Sequence, residues 1–318
     1  MINTVYRLVA PRRFEIAFED INLFGENAIV RPTYLSICNA DMRYYLGTRD
    51  AKVLAEKLPM ALIHEGVGEV FLDPTGTFKT GDKVVMVPNA PVEKDEFIAE
   101  NYLRSSKFCG SSMDGFLQEF VEISPKRLVK LPDDIDMTVA AFTEIVSVSV
   151  HAISRFDKIA HARRNTISVW GDGNLGYITS LFLKYHFPKS KIVVFGTSSD
   201  KLADFTFADE THLVNEVPDG FTTDHAFECV GGNGSPIAIE QIIGLIKPEG
   251  TISILGVSEY PVPINTRMIL EKGLRVFGSS RSGVKDFAKT VDMYKKHPEI
   301  IDYLGNLINS VNVVRTTT

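Results

Sequence analysis

The chain has 318 residues, 44% hydrophobic and 23% charged; at roughly 150 residues per domain this is ordinary usage for two globular domains and excludes disorder and fibrous repeats. Lysine and arginine number 34 against 40 acidic residues, a net charge of −6, so no basic field serves nucleic acid or an anionic membrane, and a small molecule is the expected partner. Three scattered cysteines, Cys38, Cys109 and Cys229, cannot build a disulfide framework and suit a reducing compartment.

The opening MINTVYRLVAPRRFEIAFED mixes charge into every stretch and lacks the apolar core of a signal peptide. No later run approaches the ~18 apolar residues of a membrane span, so a cytoplasmic chain is expected. Up to residue 145 the pattern is short β-rich runs broken by Gly, Pro and Asp: 14–18, 27–34, 66–72, 83–87, 116–123 and 127–130. GDKVV at 81–85 reads as a turn feeding a strand and LPDD at 131–134 as a loop leaving one, which together predict a compact β-barrel. MTVAAFTEIVSVSVHAISRF then reads as one or two helices.

From Thr166 strands and helices alternate: TISVW a buried strand, LGYITSLFLKYH a helix, KIVVFG a strand, SDKLADFTF a helix, then THLVN, DHAFECVG, the helix SPIAIEQIIGLI and the strand TISILGV. Such alternation predicts a doubly wound parallel sheet with right-handed crossovers, an α/β nucleotide-binding domain. One further helix, VKDFAKTVDMYKKH, is assigned back to the first domain because the α/β unit is already complete. The expected boundaries are 1–145 with 276–318 for the β-rich catalytic domain and 146–275 for the nucleotide domain.

Gly171-Asp172-Gly173-Asn174-Leu175-Gly176 follows a strand and opens a helix carrying Ile178, Leu181, Phe182 and Tyr185 on one face. In that setting G-x-G-x-x-G predicts a dinucleotide site: Gly171 makes the turn, Gly173 with Asn174 and Leu175 lets backbone approach a pyrophosphate, and Gly176 permits close packing. A ligand-free glycine turn is the alternative. Where NAD-binding folds place an acid at the end of the second strand, this chain has Gly196, followed by Thr197, Ser198, Ser199 and Lys201. These donors suit a 2′-phosphate, so NADP(H) is expected. Asp200 stands among them, and Ser198, Ser199 and Asp200 also read as a helix N-cap.

Catalytic zinc needs about three protein ligands from Cys, His, Asp and Glu with one position open. Cys38 follows a strand, His64-Glu65 opens another, and Glu144 lies at the domain junction. Singly these read as a buried thiol, a loop histidine and a helix-surface carboxylate. Together with their surroundings they resemble the zinc-dependent medium-chain dehydrogenase/reductase family. CNAD resembles its C-G-[ST]-D, IHEGVGEV its G-H-E-x-x-G-x-V, MDGFLQEFV its D-G-x-F-A-E-Y-V, and AAFTEIVSVSVHA its A-A-L-x-E-P-L-S-V-A-x-H; GDKVVMVP, FECVGG and IKPEGTISILGV match further motifs in the same order.

The resemblance implies a GroES-like β-rich catalytic domain joined to a Rossmann domain, and one catalytic Zn²⁺ per chain. In the sorbitol-dehydrogenase branch the ligand pattern assigns zinc to Cys38, His64 and Glu65 or Glu144, with the choice of glutamate open. It assigns Asp41 to orienting the histidine by accepting its distal N–H, a position that also suits a helix cap over 42–46. Ala40 replaces the family's relay hydroxyl, so protons must travel by water, a substrate hydroxyl or a glutamate. The four-cysteine structural zinc lobe is missing: residues 89–113 hold only Cys109. Cys109 and Cys229 are expected to be inert, Cys229 within a strand, and His151 to be packed in an apolar helix rather than to relay protons. The family's chains run on through a last helix and strand beyond VNVVRTTT.

The overall sequence, with its N-terminal MINTVYRLVAPRRFEIAFEDINLF, is also similar to the ribulose-5-phosphate reductase branch of Gram-positive bacteria. That implies NADPH-dependent reduction of a phosphosugar for teichoic-acid synthesis, a ribitol-5-phosphate cytidylyltransferase as a working partner, and a homodimer paired through the edge carrying TISILGV and ILEKGLRVFGSS. A phosphosugar demands cations, for which Arg43, Tyr44, Arg104 and Lys107 are the candidates, with solvated surface side chains the alternative. The rival readings are an NAD-linked dehydrogenase of an unphosphorylated polyol and a non-catalytic nucleotide-binding scaffold.

Overall fold

The computed structural model describes residues 1–314, so the last four residues of the expected catalytic domain lie outside the described residues. Two compact units divide the chain, Met1–Ser147 with Arg281–Thr318, and Val148–Ser280.

The first unit opens with β1 (Ile2–Ala10), β2 (Arg13–Asp20), β3 (Ala28–Ser36), α1 (Asn39–Leu46), α2 (Ala51–Lys57), β4 (Met60–Ala61), β5 (Glu65–Leu72), β6 (Lys83–Met86), β7 (Asn89–Ala90), β8 (Lys107–Phe108), β9 (Val121–Ile123), β10 (Leu128–Lys130), α3 (Met137–Ala140) and the start of α4 (Thr143–Ile159). Its sheets are antiparallel, in the orders β2-β1-β4, β10-β6-β5-β3-β9 and β7-β8. Alternation along β6 explains its unbroken apolar run. Val84 and Met86 face one cluster with Val30, Val70 and Phe116, while Val85 and Val87 face another with Val67, Leu131, Phe287 and Val291. Side chains of a strand alternate between faces, so a strand buried on both sides needs apolar residues at every position.

The second unit holds β11 (Thr166–Trp170), α5 (Asn174–His186), β12 (Lys191–Gly196), α6 (Ser199–Ala203), β13 (Glu210–Leu213), β14 (Thr223–Glu228), α7 (Ser235–Leu245), β15 (Ile246–Ile254), α8 (Thr266–Lys272) and β16 (Arg275–Gly278). All six strands are parallel, in the order β13-β12-β11-β14-β15-β16. This is the doubly wound Rossmann order, whose direction reverses between β11 and β14, where such sheets bind ligands. The chain then returns to the first unit as α9 (Val284–Lys296) and α10 (Glu299–Gly305). Phe287, Thr290, Val291 and Tyr294 form the buried stripe of α9 at i, i+3, i+4 and i+7. No helix among the described residues is long and apolar enough to cross a membrane.

Four local expectations need correction. Strand β1 carries no clean apolar alternation in the sequence because polar residues interleave its buried side: Asn3 is buried by donating to Gln118 and Phe120, and Arg7 pairs with Asp114. Of the run 116–123 only Val121–Ile123 is a strand; Phe116 and Leu117 donate instead to the Ile63 and Leu62 carbonyls. The helix over 199–207 stops at Ala203, because Phe205 and Phe207 turn in to pack edge-on against Tyr177 at 5.0 and 4.9 Å. Cys229 lies one residue past β14 rather than within it.

Candidate functional site

Helix α1 begins at Cys38, which is its N-cap in an extended conformation. Asp41 is the third helical residue rather than the cap expected for 42–46, and its Oδ2 accepts both the Cys38 N–H and the Cys38 thiol at 3.1 Å. Its Oδ1 accepts the Ile63 N–H at 2.9 Å, so one carboxylate fixes both segments that carry donor groups. Ile63 has φ +72°, a left-handed conformation that costs a β-branched residue energy and is retained where surroundings enforce it. The turn matters because neighbours in a regular strand face opposite ways, whereas His64 and Glu65 face one point.

At that point Cys38, His64 and Glu65 bring one donor atom each within 4.8 Å of one another. Cys38 Sγ stands 3.4 Å from His64 Nε2, close to the about 3.6 Å edge that tetrahedral zinc with Zn–S of about 2.3 Å and Zn–N of about 2.05 Å requires. Thiolate, imidazole and carboxylate are a zinc donor set, and the residues fit the ion. Asp41 lies 4.0 Å from His64 Nδ1, beyond hydrogen-bond length, so its bonds go to Cys38 and Ile63 rather than to the ring.

Burial pushes the Cys38 thiol up, helped by the Asp41 and Glu65 charges. Desolvation likewise raises Glu65 well above the usual carboxylate range, with Glu144 adding repulsion and a Ser36 hydrogen bond opposing. Glu144, in the first turn of α4, is buried rather than on a helix surface, and lies outside the three-donor group. Its carboxyl is raised by burial against the opposing pull of His64, and Arg281 also favours its charged form. A divalent cation is the partner that lets these groups ionise together.

The residues expected to meet a phosphate separate. Tyr44 is core, packed with Leu8, Met60 and Leu62 and covered by the Arg49 guanidinium. Arg43 shares α1 with it and is half-buried. Lys107 and Arg104 are exposed, and Lys107 points to the face of β8 opposite Phe108. His151 is buried within α4, and Cys109 and Cys229 are buried thiols.

In the second unit Gly173 caps α5 without a side-chain acceptor, so the N–H groups of Asn174, Leu175 and Gly176 remain turned outward as an anion cradle. Gly176 has no room for a Cβ, which would sit 1.9 Å from the Gly171 oxygen. Asp172, the residue inside the motif that sequence reading passed over, holds the end of β12. Its Oδ2 accepts Thr197 N–H at 2.7 Å, Thr197 Oγ1–H at 3.1 Å and Ser198 N–H at 2.8 Å. Burial opposes its ionisation, and those bonds outweigh it, keeping the carboxyl below its usual range. Gly196 is glycine because a Cβ there would meet the Asp172 Cβ at 2.7 Å. Thr197 is thereby committed to Asp172, while the Ser198 hydroxyl accepts the Lys201 N–H at 3.4 Å and keeps its own O–H to donate.

Residues 25–133 match the alcohol dehydrogenase GroES-like domain and residues 188–296 the zinc-binding dehydrogenase domain. The chain is 57% identical over 307 residues to ribulose-5-phosphate reductase 1 of Staphylococcus aureus, covering 96% of this chain and 90% of that protein. It is 55% identical over 316 residues to the ribulose-5-phosphate reductase of Bacillus spizizenii, covering 99% and 93%. Among solved structures it resembles S. aureus TarJ in complex with NADPH, with a TM-score of 0.86 and 52% identity over 96% of this chain and 89% of that one.

Proposed function

The chain belongs to the zinc-binding dehydrogenases with an alcohol dehydrogenase GroES-like domain, and within that family we propose that it reduces D-ribulose 5-phosphate to D-ribitol 5-phosphate, using NADPH and zinc. It is an oxidoreductase. The observation that carries the reading is the convergence of Cys38, His64 and Glu65 on one point, in a chain sharing more than half its residues with two ribulose-5-phosphate reductases. When bound, zinc supplies a Lewis acid for the ketone oxygen and NADPH the hydride.

Cys38, His64 and Glu65 hold the metal, with Glu65 rather than Glu144 as the carboxylate ligand, because its oxygen lies with the other two donors. Asp41 keeps Cys38 and the turn before His64 in register through its bonds to both backbones. Ala40 has no hydroxyl to relay a proton, so the buried Glu144 carboxyl is assigned to hold the proton that reaches the new alcohol. The free N–H groups at the start of α5 take the pyrophosphate, and Ser199 with Lys201 takes the 2′-phosphate that distinguishes NADPH. Similarity to reductases of Gram-positive bacteria supports the rest of the reading: a cytoplasmic homodimer joined along β16, whose product a ribitol-5-phosphate cytidylyltransferase converts to CDP-ribitol for wall teichoic acid.

Initial rates of NADPH and NADH oxidation by metal-analysed protein, with D-ribulose 5-phosphate and with D-ribulose, test the proposal. Turnover confined to NADPH and the phosphorylated ketose is expected. Equal rates with NADH or the free sugar would instead make the chain a polyol dehydrogenase. Cys38→Ser should abolish both zinc content and turnover, and survival of both would sink the assigned ligand set.

A further inference from the structure

The donor group Cys38, His64 and Glu65 of the first unit is flanked by two further buried acids, Asp41 and Glu144. A substrate bearing a phosphate brings about two more negative charges and needs a cation fixed beside them. Arg281 is a cation near that donor group. Its guanidinium lies 4.7 Å above the Phe108 ring, and the same ring packs against His64 at 5.3 Å. The charge therefore stands from the histidine at no more than the sum of those distances. Three carbons and an ester oxygen, which separate the ketone from the phosphorus of a pentulose 5-phosphate, can bridge such a span.

Three observations set Arg281 apart from the other basic residues. First, among the described residues its guanidinium makes no hydrogen bond and no ion pair; its interactions are the Phe108 ring and the field of Glu144. Second, its backbone is held at φ +57°, a strained conformation for a non-glycine residue that surrounding structure must enforce. The enforcement is visible: the Ser282 hydroxyl bonds Ser147 Oγ at 2.6 Å, Ser147 Oγ donates to the Glu144 carbonyl at 2.6 Å, and the Val284 N–H donates to Glu100 at 2.9 Å. Third, directly across the β7–β8 pair from Phe108 stands Asn89, fully buried, with neither amide atom partnered among the described residues. Opposed residues of a ladder share a face, so an amide donor lies beside the same ring.

We propose that Arg281, pinned over Phe108, is the residue that recognises the phosphate of the substrate and so selects a phosphorylated ketose over the free sugar. The proposal rests on the reductase reading and deepens it. Arg281 donates two N–H groups to phosphate oxygens in the planar fork that suits them, and Phe108 fixes the plane of that fork.

The test compares wild type with Arg281→Gly and Arg281→Lys. Glycine adopts φ +57° without penalty, so Arg281→Gly removes the cation while relaxing the backbone and leaving the fold secure. The expected result is a roughly 10- to 100-fold fall in the ratio of kcat/KM for D-ribulose 5-phosphate over that for D-ribulose, with zinc content unchanged and Arg281→Lys intermediate. Calorimetric titration of the zinc-loaded proteins with inorganic phosphate should show a parallel loss of affinity. Equal losses on both substrates would mean that Arg281 acts through Glu144, which serves both, and would overturn the proposal, as would an unchanged phosphate affinity. If wild type does not reduce D-ribulose 5-phosphate at all, the reductase reading falls and the phosphate titration alone decides whether Arg281 binds an anion.

Discussion

His225 is fully buried in β14, where Nδ1 accepts the Thr251 N–H at 3.1 Å and Nε2 therefore donates to the Arg163 carbonyl at 3.0 Å. Both ring nitrogens are used by the neutral form. Burial pushes its pKa down to about 4, and His161, whose ring centroid is 4.4 Å away, reinforces the shift. Because the folded value lies below the usual 6.5, the unfolded chain takes up the proton first as pH falls. The stabilising contribution is complete above pH 6.5 and is lost between there and about pH 4. Melting curves of wild type should show Tm falling across that window, and His225→Gln should flatten the fall; identical slopes would assign the acid limb to other groups. The same scale explains Asp41 and Asp172. Asp41 accepts backbone N–H groups from Cys38 and from Ile63, and Asp172 accepts those of Thr197 and Ser198, so each ties its own segment to one distant in the chain and acts as a brace whose value depends on where those segments run.

Among elements, the β11–α5 turn is the most constrained. The strand ends, Gly171 turns at φ +131°, and α5 starts so close that Gly176 packs on the Gly171 carbonyl. A methyl group at position 176 would have to displace backbone, not a flexible side chain. Gly176→Ala should therefore destabilise the protein by about 3 kcal/mol and weaken nucleotide binding, since the outward N–H groups move with the helix. Denaturant titration and NADPH fluorescence check the two effects, and a variant with wild-type values in both would show that the turn is softer than its spacing requires. Elements also mark where local patterning loses. The aromatic contacts of Phe205 and Phe207 with Tyr177 end α6 at Ala203, although the sequence SDKLADFTF offers nothing that breaks a helix.

At the scale of the whole molecule, the three proposed zinc ligands all come from the first unit and the anion cradle of α5 from the second. Metal removal and nucleotide binding should then separate. Zinc binding at 1,000 times its dissociation constant adds about 4 kcal/mol to the stability of what it binds. A chelator should lower the melting temperature and abolish ketose reduction while NADPH still binds. Loss of NADPH binding together with zinc would contradict the separation. Because the Cys38 thiol is raised by burial and must lose its proton to ligate, zinc should also be released progressively on acidification.

The sequence by itself determined the α/β alternation, the G-x-G-x-x-G turn and the strands TISVW and KIVVFG to the residue, and it marked Cys38, His64, Glu65 and Glu144 as candidate donors only through their resemblance to a family's motifs. The former are local signals, carried by apolar runs, by period-3.6 patterning and by glycines with nothing to replace them. Only the tertiary structure decided which carboxylate stands with Cys38 and His64, because Glu65 and Glu144 are equal as chemistry and differ in where β5 and α4 carry them. Folding also withdrew Tyr44 into a core and Lys107 to an outer face, and brought forward Asp172 and Arg281, which no local pattern marks. Their roles arise from contacts between segments distant in the chain, Asp172 with Thr197 and Arg281 with Phe108, and such proximity is a property of the fold rather than of spacing along the sequence.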